Sequence, residues 1–238
     1  MTFDVSVIIP AYNDEKRLPP TLKKVISFLQ AQPFTSEILV VTDGSKDRTA
    51  EVAEAFKSDF PSLRVLTYSH NRGKGFGVKE GMLAATGKQR LFMDADYAVP
   101  VDYLTPFLAT MAEGYDIVIG SRGLPDSIIS TPQGFPRRQF ALLFGQLQYL
   151  VLRLPYPDTQ CGFKLFTGTA AERFFPLVTY DCAYFDAELL YIAHKSGAKI
   201  KQLPVTWQHD NETRLPVGFK RSFELFLKML KIPSLHGK

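Results

Sequence analysis

Two carboxylates stand one residue apart at the end of a short apolar segment. Asp94 and Asp96 directly follow Leu91-Phe92-Met93, a run typical of a buried β-strand. Two acidic side chains held at the end of a rigid strand suit a divalent cation that also contacts phosphate oxygens. Short acidic pairs also occur in solvated turns. Asp94 and Asp96 alone therefore leave a cation site and a plain loop as alternatives.

In the first half of the chain, apolar strands alternate with helical patterns. The strands are short and nearly continuous in apolar residues, which is typical of strands buried on both faces of a parallel sheet. The alternation predicts an α/β fold with a mainly parallel central sheet and helices on both of its faces. The predicted strands cover residues 4–9, 37–41, 64–68, 90–93 and 116–120, and the predicted helices start near Pro19 or Pro20, cover 48–57, end near Gly87, and cover 101–113.

Polar clusters follow four of these strands, at residues 12–14, 43–47, 71–74 and 94–96. Ligands of parallel α/β sheets bind beyond the carboxyl ends of the strands. The repeated coincidence favours a binding site over a solvated turn at 94–96. The glycines at 73, 75 and 77 match neither the dinucleotide fingerprint nor a phosphate-binding P-loop, so a nucleotide site here would be of another kind.

The alternation breaks after Arg122. Residues 123–136 are rich in Gly, Pro and Ser and predict a loop, after which Arg137 and Arg138 open an amphipathic helix with an apolar stripe from Phe140 to Leu154. Ordinary core packing and a groove for an apolar ligand are both consistent with that stripe. The remaining predictions are a polar turn over 158–164, a helix over 185–195, a strand over 199–207 and a helix over 218–231.

Composition limits the classes of protein. The chain has 238 residues, 45% of them hydrophobic, which is enough for a full globular core. Cys161 and Cys182 provide no disulfide framework or metal-binding spacing, which favours a reducing compartment. We find no signal peptide and no apolar run of the ~18 residues that a transmembrane helix needs. Any action at a membrane would then take place on its surface.

The net charge of +4 is concentrated at one end. Between Glu212 and Lys238 six basic residues stand against two acidic ones, an excess equal to the whole net charge. The predicted helix in this region is basic and amphipathic, which suits an anionic membrane surface. A solvated helix face is the alternative.

At this point a set of motifs resembles a known family. The chain is similar to the inverting family 2 glycosyltransferases of the GT-A fold, a Rossmann-like fold that binds nucleotide-diphospho-sugars. Within that family it most resembles the dolichyl-phosphate and polyprenyl-phosphate glycosyltransferases, and the glucosyl branch more than the mannosyl branch. The resemblance covers residues 3–232. Its motifs are Pro10-Ala-Tyr-Asn-Asp14, Asp43-Gly-Ser, Asn71-Arg-Gly-Lys-Gly75, Asp94-Ala-Asp96, Gly120-Ser-Arg122 and Asp158-Thr-Gln-Cys-Gly-Phe-Lys164.

The resemblance implies roles for individual residues. Asp96, with Asp94, would bind a divalent cation, Mg²⁺ or Mn²⁺. Asp94, Asp96, Arg122 and Asp158 would form the catalytic group. Arg122, Arg137 and Arg138 would bind the acceptor phosphate. The nucleotide-sugar would be bound by Pro10, Ala11, Tyr12, Asp14, Val41, Asp43, Lys74, Asp94, Ala95, Asp96 and Arg214.

Two positions depart from the family pattern. Thr42 stands where a second aspartate often precedes Asp43, and Ala98 stands where the mannosyl branch often has a glutamine that binds the metal. Weaker metal affinity, or water in the vacant position, would follow. These departures keep open a reading of another class, in which the chain is a non-catalytic module that binds a nucleotide or a membrane.

The need for a catalytic base depends on the acceptor. A phosphate is already ionised at neutral pH and needs none, whereas a hydroxyl acceptor needs one. Asp158 is then the first candidate, with a structural turn aspartate as the alternative. Asp186 and Glu188 come second; an acidic pair at a helix N-terminus is also favoured by the helix dipole.

Together these features predict a single GT-A domain over 1–238. It comprises a nucleotide-sugar half (3–122), an acceptor-side half (123–211) and a basic C-terminal segment (212–238). We expect transfer of a hexose, with UDP-glucose the favoured donor, to a polyprenyl or dolichyl phosphate at the cytoplasmic face of a membrane, by a peripheral protein without a transmembrane segment. A soluble acceptor is the close alternative. We expect no nucleic-acid partner and leave homo-oligomer formation open.

Overall fold

The computed structural model of the chain describes residues 2–130, 145–208 and 219–237, with side chains from 224 onward in the last range. Nine strands lie in the described part. They are β1 Val5–Ala11, β2 Ser36–Asp43, β3 Leu63–Tyr68, β4 Gln89–Met93, β5 Ile117–Ser121, β6 Ile128–Ile129, β7 Phe163–Thr167, β8 Ile200–Pro204 and β9 Thr206–Trp207.

The helices alternate with the strands through the first half, as predicted. They are α1 Leu18–Gln30, α2 Thr49–Ala55, α3 Lys74–Ala84, α4 Leu104–Ala112, α5 over the described residues 145–152, α6 Gly168–Phe174, α7 Phe185–Lys195 and α8 Phe219–Leu235. Proline lies in the first turn of α1, where no backbone N–H is needed. Asp47 accepts a hydrogen bond from the backbone N–H of Thr49 at 3.0 Å and so satisfies a free donor at the start of α2.

Seven strands form one sheet in the order β3-β2-β1-β4-β7-β5-β8. All pairs are parallel except those of β7, which runs antiparallel to both β4 and β5. The register places Ile8 of β1 between Leu39 of β2 and Phe92 of β4. A second, two-stranded sheet pairs β6 with β9.

Helices cover both faces of the sheet. One buried cluster contains side chains of α1, α2 and α4, and the other contains side chains of α3, α6, α7 and α8. This three-layer arrangement with a mainly parallel sheet confirms the predicted fold class.

The structure corrects three predictions in the second half. The predicted loop over 123–136 includes the short strand β6, and the predicted strand over 199–207 is divided between β8 of the large sheet and β9 of the small one. The third correction concerns β7. Residues 158–164 were predicted as a polar turn, but Phe163 and Lys164 already belong to β7, in the centre of the sheet. The sequence hid this strand because Lys164 interrupts an otherwise apolar run. Its side chain is fully buried and pairs with Asp186.

Candidate active site

The predicted site residues within the described part of the chain lie at one edge of the sheet. β1, β2, β4 and β5 end there, and antiparallel β7 begins there. Asp43 is the last residue of β2, Asp94 and Asp96 follow β4, and Arg122 follows β5. The turn of residues 158–162 leads into β7 from the same edge.

Asp94 and Lys74 form an ion pair at this edge. The ammonium nitrogen of Lys74, the first residue of α3, lies 2.6 Å from Oδ1 of Asp94. Burial acts to lower the pKa of Lys74, but the charges of Asp94, Asp186 and Asp96 outweigh it and raise that pKa above its ordinary value. The site therefore holds a stable positive charge beside its two carboxylates.

Asp96 lies in a negative, partly dehydrated environment. Burial, and then the charge of Asp94, raise the pKa of Asp96 above its usual range. Its Oδ1 accepts a hydrogen bond from the backbone N–H of Ala98 at 3.0 Å. Tyr97 has a φ of 56°, an uncommon left-handed conformation at the turn that follows Asp96. The Ala95 carbonyl accepts from Thr21 Oγ1 at 2.7 Å, which anchors the same turn on α1.

Asp94 and Asp96 have the chemistry of ligands for a divalent cation. Two adjacent carboxylates, one with a raised proton affinity, favour a positive ligand. In the described ranges 2–130, 145–208 and 219–237, no group of three or more His, Cys, Asp and Glu residues could hold a metal ion. The carboxylates of Asp94 and Asp96 therefore fit a cation that receives its remaining ligands from a phosphorylated substrate.

Asp43 holds the glycine-rich loop in place. Its carboxylate accepts hydrogen bonds from the backbone N–H groups of Arg72, at 2.9 and 3.0 Å, and Gly73, at 2.6 Å. Asn71 donates to the Asp43 carbonyl at 3.0 Å. Gly73 has a φ of 124°, and a side chain there would collide with the Asp181 carbonyl. The loop that presents Lys74 is thus fixed by Asp43 on one side and by Asp181 on the other.

The remaining predicted nucleotide contacts lie at the ends of β1 and β2. Pro10 pairs with Val41 across the two strands, and Val41 is fully buried, so only its backbone faces this edge. Asp14 accepts from the Tyr12 backbone N–H at 3.0 Å and from Arg17 Nε at 2.8 Å. Ala11 is buried beside them, whereas Tyr12 is 38% exposed.

Arg122 and Asp158 form a bidentate ion pair. Arg122 Nε lies 2.7 Å from Oδ2 of Asp158 and its Nη2 lies 2.8 Å from Oδ1. The backbone N–H groups of Arg122 and Gln160 also donate to the carboxylate. Burial acts to raise the pKa of Asp158, but the Arg122 guanidinium outweighs it and lowers that pKa. Burial acts to lower the pKa of Arg122, but the charge of Asp158 outweighs it and raises that pKa.

Lys164 and Asp186 form a second buried ion pair, which was not predicted from the sequence. Lys164 Nζ is 2.5 Å from Oδ1 of Asp186, the second residue of α7, and donates to the Cys161 carbonyl at 2.7 Å. Both side chains are almost completely buried. Burial raises the pKa of Asp186, and the charges of Lys164 and Lys74 oppose that rise. The signal in the sequence was a lysine within an apolar run.

Glu188, the other second-choice base, holds neighbouring segments together. It is fully buried, accepts from the backbone N–H groups of Thr179 and Tyr180 at 3.1 and 2.8 Å, and contacts His236 Nε2 of the C-terminal segment at 2.7 Å. These contacts anchor the 179–180 loop and the C-terminal segment on α7.

Arg137 and Arg138, predicted for the acceptor phosphate, and Arg214, predicted for the nucleotide-sugar, lie outside the described residues. The predicted apolar stripe continues into described residues of α5, where Leu147 and Val151 pack partly against the core. Leu150, at 68%, is exposed. No helix in the described ranges is long and apolar enough to cross a membrane.

Comparison with known proteins agrees with this geometry. The model of the family "Glycosyl transferase family 2" matches residues 6–175. The dolichyl-phosphate beta-glucosyltransferase of Drosophila melanogaster is 37% identical over 90% of this chain and 70% of its own length, and that of Homo sapiens is 34% identical over the same shares.

Solved structures are similar in fold. Glucosyl-3-phosphoglycerate synthase from Mycobacterium tuberculosis, in complex with Mn²⁺, UDP-glucose and phosphoglyceric acid, has a TM-score of 0.67 at 18% identity and covers 99% of this chain and 80% of its own. S. aureus TarS 1–349 has a TM-score of 0.63 at 20% identity, and this chain spans 65% of it. Family match, sequence identity and the GT-A architecture agree: the chain belongs to glycosyltransferase family 2.

Proposed function

We propose that this enzyme transfers glucose from UDP-glucose to a dolichyl or polyprenyl phosphate, with inversion at the anomeric carbon. The observation that carries this proposal is the edge of the sheet where Asp94, Asp96, Lys74 and the Arg122–Asp158 pair meet. The dolichyl-phosphate beta-glucosyltransferases that resemble it along most of its length support the sugar and the acceptor.

The donor half of the site is suited to a diphosphate leaving group. Asp96, with Asp94, would hold Mg²⁺ or Mn²⁺, the latter as in the UDP complexes of the structural neighbour. A bound divalent cation would neutralise the charge that develops on the leaving diphosphate. Lys74 adds a fixed positive charge next to the same carboxylates.

The base and ribose would lie over the ends of β1 and β2. Asp43 is an acceptor that suits an N–H or hydroxyl group of the nucleoside. In the structure it also shapes the 71–73 loop, so it acts on the donor both directly and through that loop. The other contacts in this proposal are Pro10, Ala11, Tyr12, Asp14, Val41, Ala95 and Arg214.

The acceptor half favours a phosphate over a hydroxyl. A general base works best with a pKa near neutrality, whereas Arg122 lowers the pKa of Asp158 and occupies both of its oxygens. A phosphate acceptor is already ionised and needs no base. We therefore assign Asp158 the task of orienting Arg122 toward phosphate oxygens, and we retain Arg137 and Arg138 as further phosphate ligands.

A lipid acceptor requires contact with a membrane surface. On α8, Leu227 and Leu230 are 41% and 44% exposed, and Lys231 is exposed beside them. Exposed leucines next to a base on one helix suit an anionic bilayer surface. We propose that the protein binds the cytoplasmic face of the membrane peripherally.

A donor and acceptor screen tests the proposal. Purified protein is incubated with UDP-glucose or GDP-mannose, each with a short-chain dolichyl phosphate or phosphoglyceric acid, with Mn²⁺ or with EDTA. We expect a glucosylated lipid from UDP-glucose only, of the β configuration by NMR, and no product with EDTA. Glucosylation of phosphoglyceric acid alone would favour the soluble-acceptor alternative, and no turnover of any donor would favour a non-catalytic module.

A further inference from the structure

The turn of residues 158–162 supports two separate groups of the active site. At its start Asp158 grips the guanidinium of Arg122. At its end the Gly162 carbonyl accepts a hydrogen bond from the Asp94 backbone N–H at 3.1 Å. A methyl group on Gly162 would lie 2.0 Å from Oδ2 of Asp94, so the backbone of the turn lies directly against that carboxylate. A shift of this turn would displace Asp94 and Arg122 together.

The Lys164–Asp186 ion pair fixes this turn from inside the protein. Lys164 Nζ donates to the Cys161 carbonyl at 2.7 Å, within the turn, and its other partner is Asp186 at 2.5 Å. Asp186 belongs to α7, which packs in the core on one face of the sheet. The turn is therefore tied to a core helix through a charged side chain.

The negative charge of Asp186 also interacts with Lys74 at the proposed donor site. Asp186 acts electrostatically on Lys74, whose ammonium contacts Asp94, and Asp94 acts in turn on Asp186. Without Asp186, the ammonium of Lys164 would lack its counter-charge in the same buried region as Lys74. Stability alone does not call for such a pair, because apolar side chains of similar volume usually replace a buried ion pair without loss of stability.

We propose that Lys164 and Asp186 are positioning residues for the donor site: they hold the 158–162 turn, and through it Asp94 and Arg122, in the geometry that binds a nucleoside diphosphate with its cation. The proposal rests on the proposed function for the donor class. It assigns Asp186 a buried positioning role in place of the catalytic base considered from the sequence.

The decisive variant removes both charges and keeps a similar side-chain shape at each position, Lys164→Met combined with Asp186→Leu. We expect it to unfold at a temperature close to that of the wild type. We expect its affinity for UDP in excess MnCl₂, measured by calorimetry, to fall about 10-fold to 100-fold, the scale seen when residues that orient metal ligands are removed. A folded double variant with wild-type UDP affinity would overturn the proposal.

A single variant with a matched control covers the case in which the double variant does not fold. Asp186→Asn and Glu37→Gln each neutralise a buried carboxylate, and Glu37 stands at the start of β2, at the opposite edge of the sheet. We expect both to lower the melting temperature and only Asp186→Asn to weaken UDP binding. Equal UDP affinities in the two variants would show that the Lys164–Asp186 ion pair contributes to stability only and does not position the donor site.

The binding readout separates this inference from the proposed function. UDP and GDP are titrated in parallel into the wild type, which reports the nucleotide class without reference to the acceptor. Wild-type preference for GDP would refute the proposed donor, and the comparison of variants would then be made with GDP. The positioning role is judged only by the ratio of variant to wild-type affinity for the preferred nucleotide.

Discussion

The ammonium group of Lys74 lies 2.6 Å from Oδ1 of Asp94, so one carboxylate of the candidate cation site already has a positive partner. We expect Lys74 to compete with a cation for Asp94 in the absence of a donor and to contact the diphosphate in its presence. We expect Lys74→Met to tighten Mn²⁺ binding without nucleotide by roughly tenfold, about 1.4 kcal/mol, and to weaken UDP binding.

Electron paramagnetic resonance of free Mn²⁺ measures the first effect and calorimetry the second. Lys79→Met is the matched control on α3, because Lys79 donates to the carbonyls of Pro176 and Val178. Mn²⁺ affinity that is the same in both variants and the wild type would show that Lys74 does not compete for the cation.

Asp96 is the carboxylate whose loss we expect to stop turnover. Removal of one preorganised charge from a transition state costs on the order of 100-fold or more in kcat. We expect Asp96→Ala to lose at least that much, with melting temperature preserved. Transfer of the sugar from radiolabelled UDP-glucose is the measurement. If the wild type remained active in EDTA, turnover would not depend on a divalent cation.

The sequence was enough to predict which polar residues meet at the carboxyl ends of the strands, because buried parallel strands have a recognisable sequence pattern. Each buried strand is a nearly continuous apolar run, and the polar residues that follow it mark the same edge of the sheet. α7 was predicted over residues 185–195, and the structure has it over Phe185–Lys195.

The second half of the chain was harder to predict from the sequence, because its contacts join distant residues. β7 was missed because Lys164 breaks its apolar pattern. The buried charge of Lys164 is paired with Asp186, which is 22 residues away in the sequence. The pairing of Arg122 with Asp158 spans 36 residues. No local pattern encodes either pair.

Asp43 supports the 71–73 loop and is also a proposed ligand of the donor. Asp43→Ala removes the acceptor of the Arg72 and Gly73 backbone N–H groups, so we expect a loss of about 1–3 kcal/mol in the free energy of unfolding. We expect KM for UDP-glucose to rise more than kcat falls, because the interaction acts on donor binding.

Urea unfolding and initial-rate kinetics measure the two effects. Asp116→Ala is the control, because Asp116 also accepts from a backbone N–H, that of Lys199 at 2.8 Å, but precedes β5 at the other edge. It should lower stability and leave KM unchanged. A large loss of kcat at constant KM in Asp43→Ala would assign Asp43 to the chemical step.

The Arg122–Asp158 pair predicts how stability depends on pH. Arg122 lowers the folded-state pKa of Asp158 below its unfolded value of about 3.9. The pair therefore contributes its full stability above about pH 4 and loses it as the pH falls through the folded pKa. We expect Asp158→Asn to cost about 1–3 kcal/mol at pH 7 and at pH 5, and less below about pH 4.

Urea unfolding of wild type and variant at these pH values provides the test, with Asp126→Asn, an exposed aspartate, as the control. We also expect the pH profile of wild-type kcat/KM to show no ionisation of Asp158 near neutrality. A difference in unfolding free energy that grows as the pH falls would contradict the pairing.

The last prediction concerns the acceptor. Arg137 and Arg138 precede α5 in the sequence, and guanidinium groups suit the phosphate of a lipid acceptor. We expect Arg137→Ala with Arg138→Ala to block transfer to dolichyl phosphate while UDP binding stays at the wild-type level. Lys57→Ala with Lys88→Ala removes two exposed charges elsewhere and should change neither. The wild type should also bind anionic vesicles in a salt-sensitive way, since each base near such a surface contributes about 1 kcal/mol. Wild-type transfer rates in the double arginine variant, together with no vesicle binding, would refute the lipid-phosphate acceptor and leave a soluble acceptor as the alternative.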